Sequence, residues 1–179
     1  MKKLSNAVLG LAFAFALGGM ANAQGPTDPQ IVGIVQTANR IDIDQARLAL
    51  KKSMNPQVKE FANQMISDHT NLEKSVTDLA NKLGVKEQTS DTAKQLKQQA
   101  AEESKKLNGL KGSDFDHEYA SHEIAFHQAV IDAATSTLIP NAKNAELKSA
   151  VQSAAPMLEG HLQHAQQLQK SLQSGSSSH

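Results

Sequence analysis

The chain has 179 residues, 18 basic and 18 acidic side chains, no cysteine, no tryptophan and one tyrosine. The absence of cysteine excludes disulfides, thiol catalysis and thiolate metal ligands. Balanced charge offers no basic patch for nucleic acid, which is not an expected partner. With so few aromatics the core has to be aliphatic, and the length suits one domain.

Residues 1–23 read as a signal peptide. Lys2 and Lys3 form a basic start, an apolar run extends from Ala7 to about Gly19, and Ala21-Asn22-Ala23 supplies a small-residue cleavage pattern. Cleavage is expected after Ala23, sending the mature chain to the periplasm or beyond, with outer-membrane association also open. An uncleaved inner-membrane anchor is the alternative, but the apolar run falls short of the ~20 residues a span needs, and no second candidate follows. The mature chain is therefore expected to carry no transmembrane span. It keeps all 18 acidic residues and loses two of the 18 basic ones.

Residues 24–29 form a short leader, and the domain is expected over residues 30–173. Beyond the leader, glycine and proline fall almost only at punctuation points, while Ala, Leu, Gln and Lys dominate, a helical composition. Helix A runs from about Pro29 to Met54. Asn55 and Pro56 are an N-cap and first-turn pair opening helix B, which stops at Gly84. Thr89 to Thr92 cap a further helix reaching about Leu107. Ser113 and Asp116 resemble a capping box before helix C, which runs to about Leu138. Residues 139–144 make a turn, and helix D runs from about Asn144 to Leu172. The polar residues 174–179 are expected to be a disordered tail.

Apolar residues recur at alternating spacings of four and three. Helix B shows Val58, Ala62, Met65, His69, Leu72, Val76, Leu79 and Leu83; helix C shows Ala120, Ile124, His127, Ile131, Ala134 and Leu138. Helix D shows Leu147, Val151, Ala154, Leu158, His161, Ala165, Leu168 and Leu172. Such seams face the core of a bundle. Each is interrupted once, by a histidine, and the weaker seam of helix A (Ile31, Val35, Ala38, Ala49) is interrupted by Asp42. The expected fold is all-α: an up-down four-helix bundle of the ferritin-like kind, with an extra crossover helix between the second and third core helices. In that topology His69 and His127 each lie ~20 Å below one end, Asp42 ~18 Å and His161 roughly 10–15 Å. All four then share one layer, whereas five equal helices would scatter them.

Three stretches carry a family resemblance: "EFANQMISDHTNLEKSVTDLANKLGV", "GSDFDHEYASHEIAFHQAV" and "AAPMLEGHLQHAQQL". Together they resemble the bacterial domain-of-unknown-function family 4142, over about residues 28–172. The resemblance implies export and a ferritin-like fold; it implies no activity. A di-iron bundle supplies one Glu from each of two helices and Glu-x-x-His from each of the other two. Here Asp68 and His69 are adjacent and His161 is followed by His164, so ferroxidase chemistry is not implied.

A metal ion could be held by His69, His127 and His161 with Asp42 or Glu123 as the oxygen ligand, a set that suits Zn, Fe, Mn or Cu. His164 could add a ligand or orient one. Met65 and Met157, each one turn before a seam histidine, would suit copper, although core filling explains them more simply. The competing reading is a buried hydrogen-bond network of neutral imidazoles with Asp42, Asp68, Asp116 or Tyr119. Asp116 and Tyr119 are expected to tie the start of helix C to a neighbour, and Asp68 to serve as an outer acceptor. His117 and His122 lie off the seam and read as exposed or flanking. Pro156 should bend helix D near His161.

Three functions follow. The first is an exported metal-binding protein, with stress response as a role. The second is a structural or interaction module of the cell envelope whose polar cluster fixes helix register, with a second copy or an envelope protein as partner. The third is a metal-dependent oxidase or peroxidase-like enzyme.

Overall fold

The computed structural model describes residues 25–176, and their regular structure is all helical. Residues 1–24 and 177–179, with the expected signal peptide and cleavage point, lie outside the described residues. The helices are α1 (Asp28–Lys52), α2 (Pro56–Leu83), α3 (Asp91–Gly109), α4 (Gly112–Ala133), a short α5 (Ile139–Asn141) and α6 (Ala145–Ser176). Among the described residues no helix is long and apolar enough to cross a membrane.

Local chemistry sets most boundaries. Asn55 Oδ1 accepts from the amides of Gln57 and Val58, and Gly84 ends α2 in the left-handed region at φ 66°. Ser90 Oγ accepts from the Ala93 amide to open α3, and Asn144 Oδ1 accepts from Glu146 and Leu147 to open α6. Some expectations differ from what is seen. Ser113 and Asp116 form no capping box: Gly112, at φ 54°, turns the chain into α4 before Ser113, and Asp116 is buried. α6 extends to Ser176, so residues 174–176 of the expected tail are helical. Between α4 and α5 one π-helical turn, Ala134–Leu138, precedes Pro140. Proline has no amide hydrogen to continue an α-helical ladder.

Side-chain pairs give the helix directions. Gln36 meets Thr77 and Arg40 meets Glu73, so α1 and α2 are antiparallel. Gln57–Ser171, Gln64–His164 and Asp68–His161 make α2 and α6 antiparallel. α4 packs antiparallel on α6, with Gln169 donating to Ser121 near one end. α3 runs alongside α1, where Gln45 Nε2 donates to Ser104 and the Lys52 ammonium to the carbonyls of Leu107 and Asn108. α1 is thus covered by α2, α3 and α4, and it is buried nearly all round. Its close fit is visible at Gly33, where a Cβ would stand 2.2 Å from the Gln88 carbonyl oxygen. The Gln88 amide donates to the Pro29 carbonyl, holding the α2–α3 connection there.

The apolar core is in two parts. One contains Ile31, Ile34, Val76, Leu138 and Leu147; the other contains Phe61, Met65, Phe115, Tyr119 and Leu168. Between them lies a layer of buried polar side chains. In the first part, Ala38, Ala133, Ala134, Ala150 and Ala154 help to line a cavity of about 60 Å³.

Glu103 of α3 is buried against this frame, with Oε1 lacking a hydrogen-bond partner. Burial raises its carboxyl above the ordinary value; Lys106 opposes and Glu118 adds to the rise. The folded state therefore holds this proton more tightly than the unfolded chain. The contribution is complete below the ordinary carboxyl value and is lost as pH rises through the raised one. Glu103→Gln, which stays neutral, should gain stability over the parent in urea denaturation as pH rises from the ordinary carboxyl value through the raised one; a constant difference would contradict this.

Candidate metal centre

The polar layer takes one residue or more from each of four helices. Asp42 comes from α1, His69 from α2, Glu123 and His127 from α4, and His161 from α6; all five are buried. The three imidazole rings face one another, with centroids 5.2 Å apart for His69 and His161, 5.3 Å for His127 and His161, and 5.7 Å for His69 and His127.

Each ring has one nitrogen tethered from outside. His69 Nδ1 donates to Asn39 Oδ1 at 2.9 Å, His127 Nδ1 to the Glu123 carbonyl at 2.9 Å, and His161 Nε2 to Asp68 Oδ2 at 2.9 Å. Those bonds fix each tautomer, because the outer nitrogen must carry the proton. The other nitrogens, His69 Nε2, His127 Nε2 and His161 Nδ1, then present lone pairs and have no hydrogen-bond partner. His69 Nε2 and His127 Nε2 are each 3.4 Å from Asp42 Oδ2, and neither Asp42 oxygen accepts a hydrogen bond. Glu123 Oε2 stands 3.5 Å from His127 Nδ1. No hydrogen bond reaches these inward nitrogens or the Asp42 oxygens.

Burial shapes its charge. It lowers His69 to about 2, with His127 and His161 adding to the fall. It lowers His127 to about 4 against the opposing Glu123 carbonyl, and lowers His161 against Asp68. All three rings are therefore neutral near pH 7, the state that coordinates a metal. Burial raises Asp42, and it raises Glu123 well above the ordinary range, with the Asp42 charge adding to that rise and Tyr119 opposing it. Tyr119 is itself pushed well up, first by burial and then by the charges of Glu123 and Asp42.

Two overlapping groups have ligand atoms within 4.8 Å of one another: His69, His127 and His161, and Asp42, Glu123 and His127. Ligands around one ion at metal–nitrogen bonds of ~2 Å sit somewhat closer than that, so ring movements would be needed to bring the first group onto a single ion. The donors fit a cation, since the inward imidazole nitrogens stand beside carboxyl oxygens and accept no hydrogen bond.

The other candidates stand apart. Asp68 is the outer acceptor of His161. His164 faces away, its Nδ1 bonded to Gln64 and its ring edge-on to Phe61 at 5.1 Å. Asp116 is buried, but it belongs to neither group of potential ligands. Tyr119 stacks on Phe115 at 6.2 Å and meets Phe61 edge-on at 6.1 Å, so it is anchored by packing. Met65 belongs to the second apolar core. α6 continues through Pro156, which is exposed.

Two residues were misjudged or missed in the sequence. His122 is buried, not exposed or flanking; it stacks on Phe126 at 5.7 Å, and burial, with His127 and Lys106, lowers it to about 3. A second seam, Phe115, Tyr119, His122, Phe126, Ala129 and Ala133, follows the same four-three spacing and is buried throughout. It was legible in the sequence. The face of α4 is therefore rotated from the expected one: Glu123 is buried, whereas Ile124 and Ile131 are half-buried. Asn39 was missed as well; it sits three residues before Asp42 and so shares its face.

The family model described as "Domain of unknown function (DUF4142)" matches residues 16–168. The chain belongs to this family. No curated protein matches the sequence. Among solved structures, CopM in its Cu(II)-bound form is similar, with a TM-score of 0.62 and 18% sequence identity over 82% of this chain and 98% of CopM. At that identity the likeness concerns the helical fold alone. DUF4142 names no activity, so function has to be argued from the polar layer.

Asn39→Ala would leave the His69 Nδ1 proton buried without an acceptor, which costs about 1–3 kcal/mol. Urea denaturation of metal-free protein should show that loss, while Asn63→Ala, at an exposed position of α2, changes stability by under ~0.5 kcal/mol.

Proposed function

We propose that this member of DUF4142 is an exported, ferritin-like bundle protein that binds one transition-metal ion in the layer between its two apolar cores. His69, His127 and His161 supply imidazole nitrogens and Asp42 a carboxylate oxygen, with Glu123 as the alternative oxygen donor. The observation that carries the reading is the set of three imidazoles, each tethered at its outer nitrogen and unpartnered at its inner one. Metal-binding histidines are oriented in this way by outer acceptors. An imidazole-rich set favours Cu(II) and Zn(II) over Mn(II). The Cu(II) bound by CopM makes copper the first ion to test. Handling of metal under stress in the envelope is the role that agrees with export.

The second reading is a buried network that only fixes helix packing, and the 3.4–3.5 Å imidazole–carboxylate spacings favour it. One experiment separates the two. Tag-free mature protein is loaded with Cu(II) or Zn(II), dialysed and analysed for metal beside His69→Ala/His127→Ala/His161→Ala. The expected result is about one ion per chain, lost in the triple variant. Free metal at 100 times its dissociation constant should also stabilise the parent by ~2.7 kcal/mol. No retained metal in the parent would leave the network reading.

Export has its own test. N-terminal sequencing of protein from the periplasmic fraction should begin at Gln24; a chain beginning at Met1 in the membrane fraction would indicate an uncleaved anchor.

A further inference from the structure

The cavity in the first apolar core ends against the polar layer. Asn39, His69 and His127 are part of its lining, and the rest of the lining is apolar. Its space exists because small side chains face one another: Ala38 on α1, Ala133 and Ala134 at the end of α4, and Ala150 and Ala154 on α6. Ala134 opens the π-helical turn, a helical irregularity frequent at functional sites.

Size and chemistry restrict what can enter. At about 60 Å³ the space admits a molecule of two or three heavy atoms. Ions and strongly polar molecules find few partners on alanine, valine and leucine walls, and such walls favour apolar atoms. The inward nitrogens of His69 and His127 already lie against Asp42, so a guest meets ring edges and carbon atoms. We propose that this cavity is a binding site for a small, neutral, apolar molecule of the size of dioxygen, held in contact with the His69 and His127 rings. The proposal does not depend on a metal, because the cavity and the rings are present without one. If a metal is bound, the same cavity gives such a molecule a way to the centre that bypasses the polar surface.

The probe is xenon, applied under pressure to metal-free protein with labelled methyl groups and histidine rings. Saturable shifts are expected at the methyls of Ile34, Val76, Leu138 and Leu147 and at the His69 and His127 rings. Dissolved dioxygen should enhance relaxation at the same positions through its unpaired electrons. Ala134→Leu and Ala38→Val each fill part of the space, so in whichever variant folds the xenon response should fall at least tenfold while the response of exposed methyls stays the same. Shifts that rise linearly without saturating, or that survive in a folded filling variant, would overturn the proposal. Because the protein carries no metal in this experiment, the result stands apart from the metal analysis above.

Discussion

Much of the molecule turns on five ionisable side chains buried between two apolar cores. Asp42, His69, Glu123, His127 and His161 come from four helices that meet only in tertiary structure. Burying charge is costly, and proteins escape that cost by neutralising the groups or by pairing them. Here neutralisation is visible in the lowered imidazoles and raised carboxyls. The outer tethers explain why it takes the form it does: Asn39, Asp68 and the Glu123 carbonyl each hold a ring proton outside and leave a lone pair inside.

The rest of the fold serves that layer. α1 is central because it touches α2, α3 and α4, and it brings Asn39 and Asp42 to the middle on one face. α3 carries the chain back along α1, so α2 and α4 run the same way and bring His69 and His127 to one level. Asp28 accepts from the amides of Lys143 and Asn144, fixing the start of α6 beside the start of α1. That contact helps to set the level at which His161 enters. The alanine-lined cavity beside the layer is left unfilled by side chains, which is why it invites a ligand.

Membership of DUF4142 and the helical likeness to CopM agree with this architecture, but neither supplies the chemistry. A metal that gathers ligands from four helices would add its binding energy to folding. It would also relieve the repulsion among inward lone pairs. Both effects come from the same geometry, so metal affinity and bundle stability should be linked in this protein.

The helices, the caps other than that of α4, and the heavily apolar seams were legible along the chain, because 3.6-residue periodicity, Asn55-Pro56 and Gly84 act locally. So were the three histidines that interrupt those seams, since each replaces a leucine-like residue in an otherwise regular pattern. The rotation of α4 was not read, because a helix covered on several sides carries two adjacent seams and the one through Ile124 looks equally regular. The burial of His122 follows from that second seam and from cover by other helices. Ring tautomers and the direction of His164 depend on which residue of a neighbouring helix stands opposite. The sequence by itself determined where polar groups break the apolar faces, because burial periodicity is a property of one helix. Only the tertiary structure decided that these groups face one another with their lone pairs inward, because that depends on helix direction, rotation and level, which no single helix records.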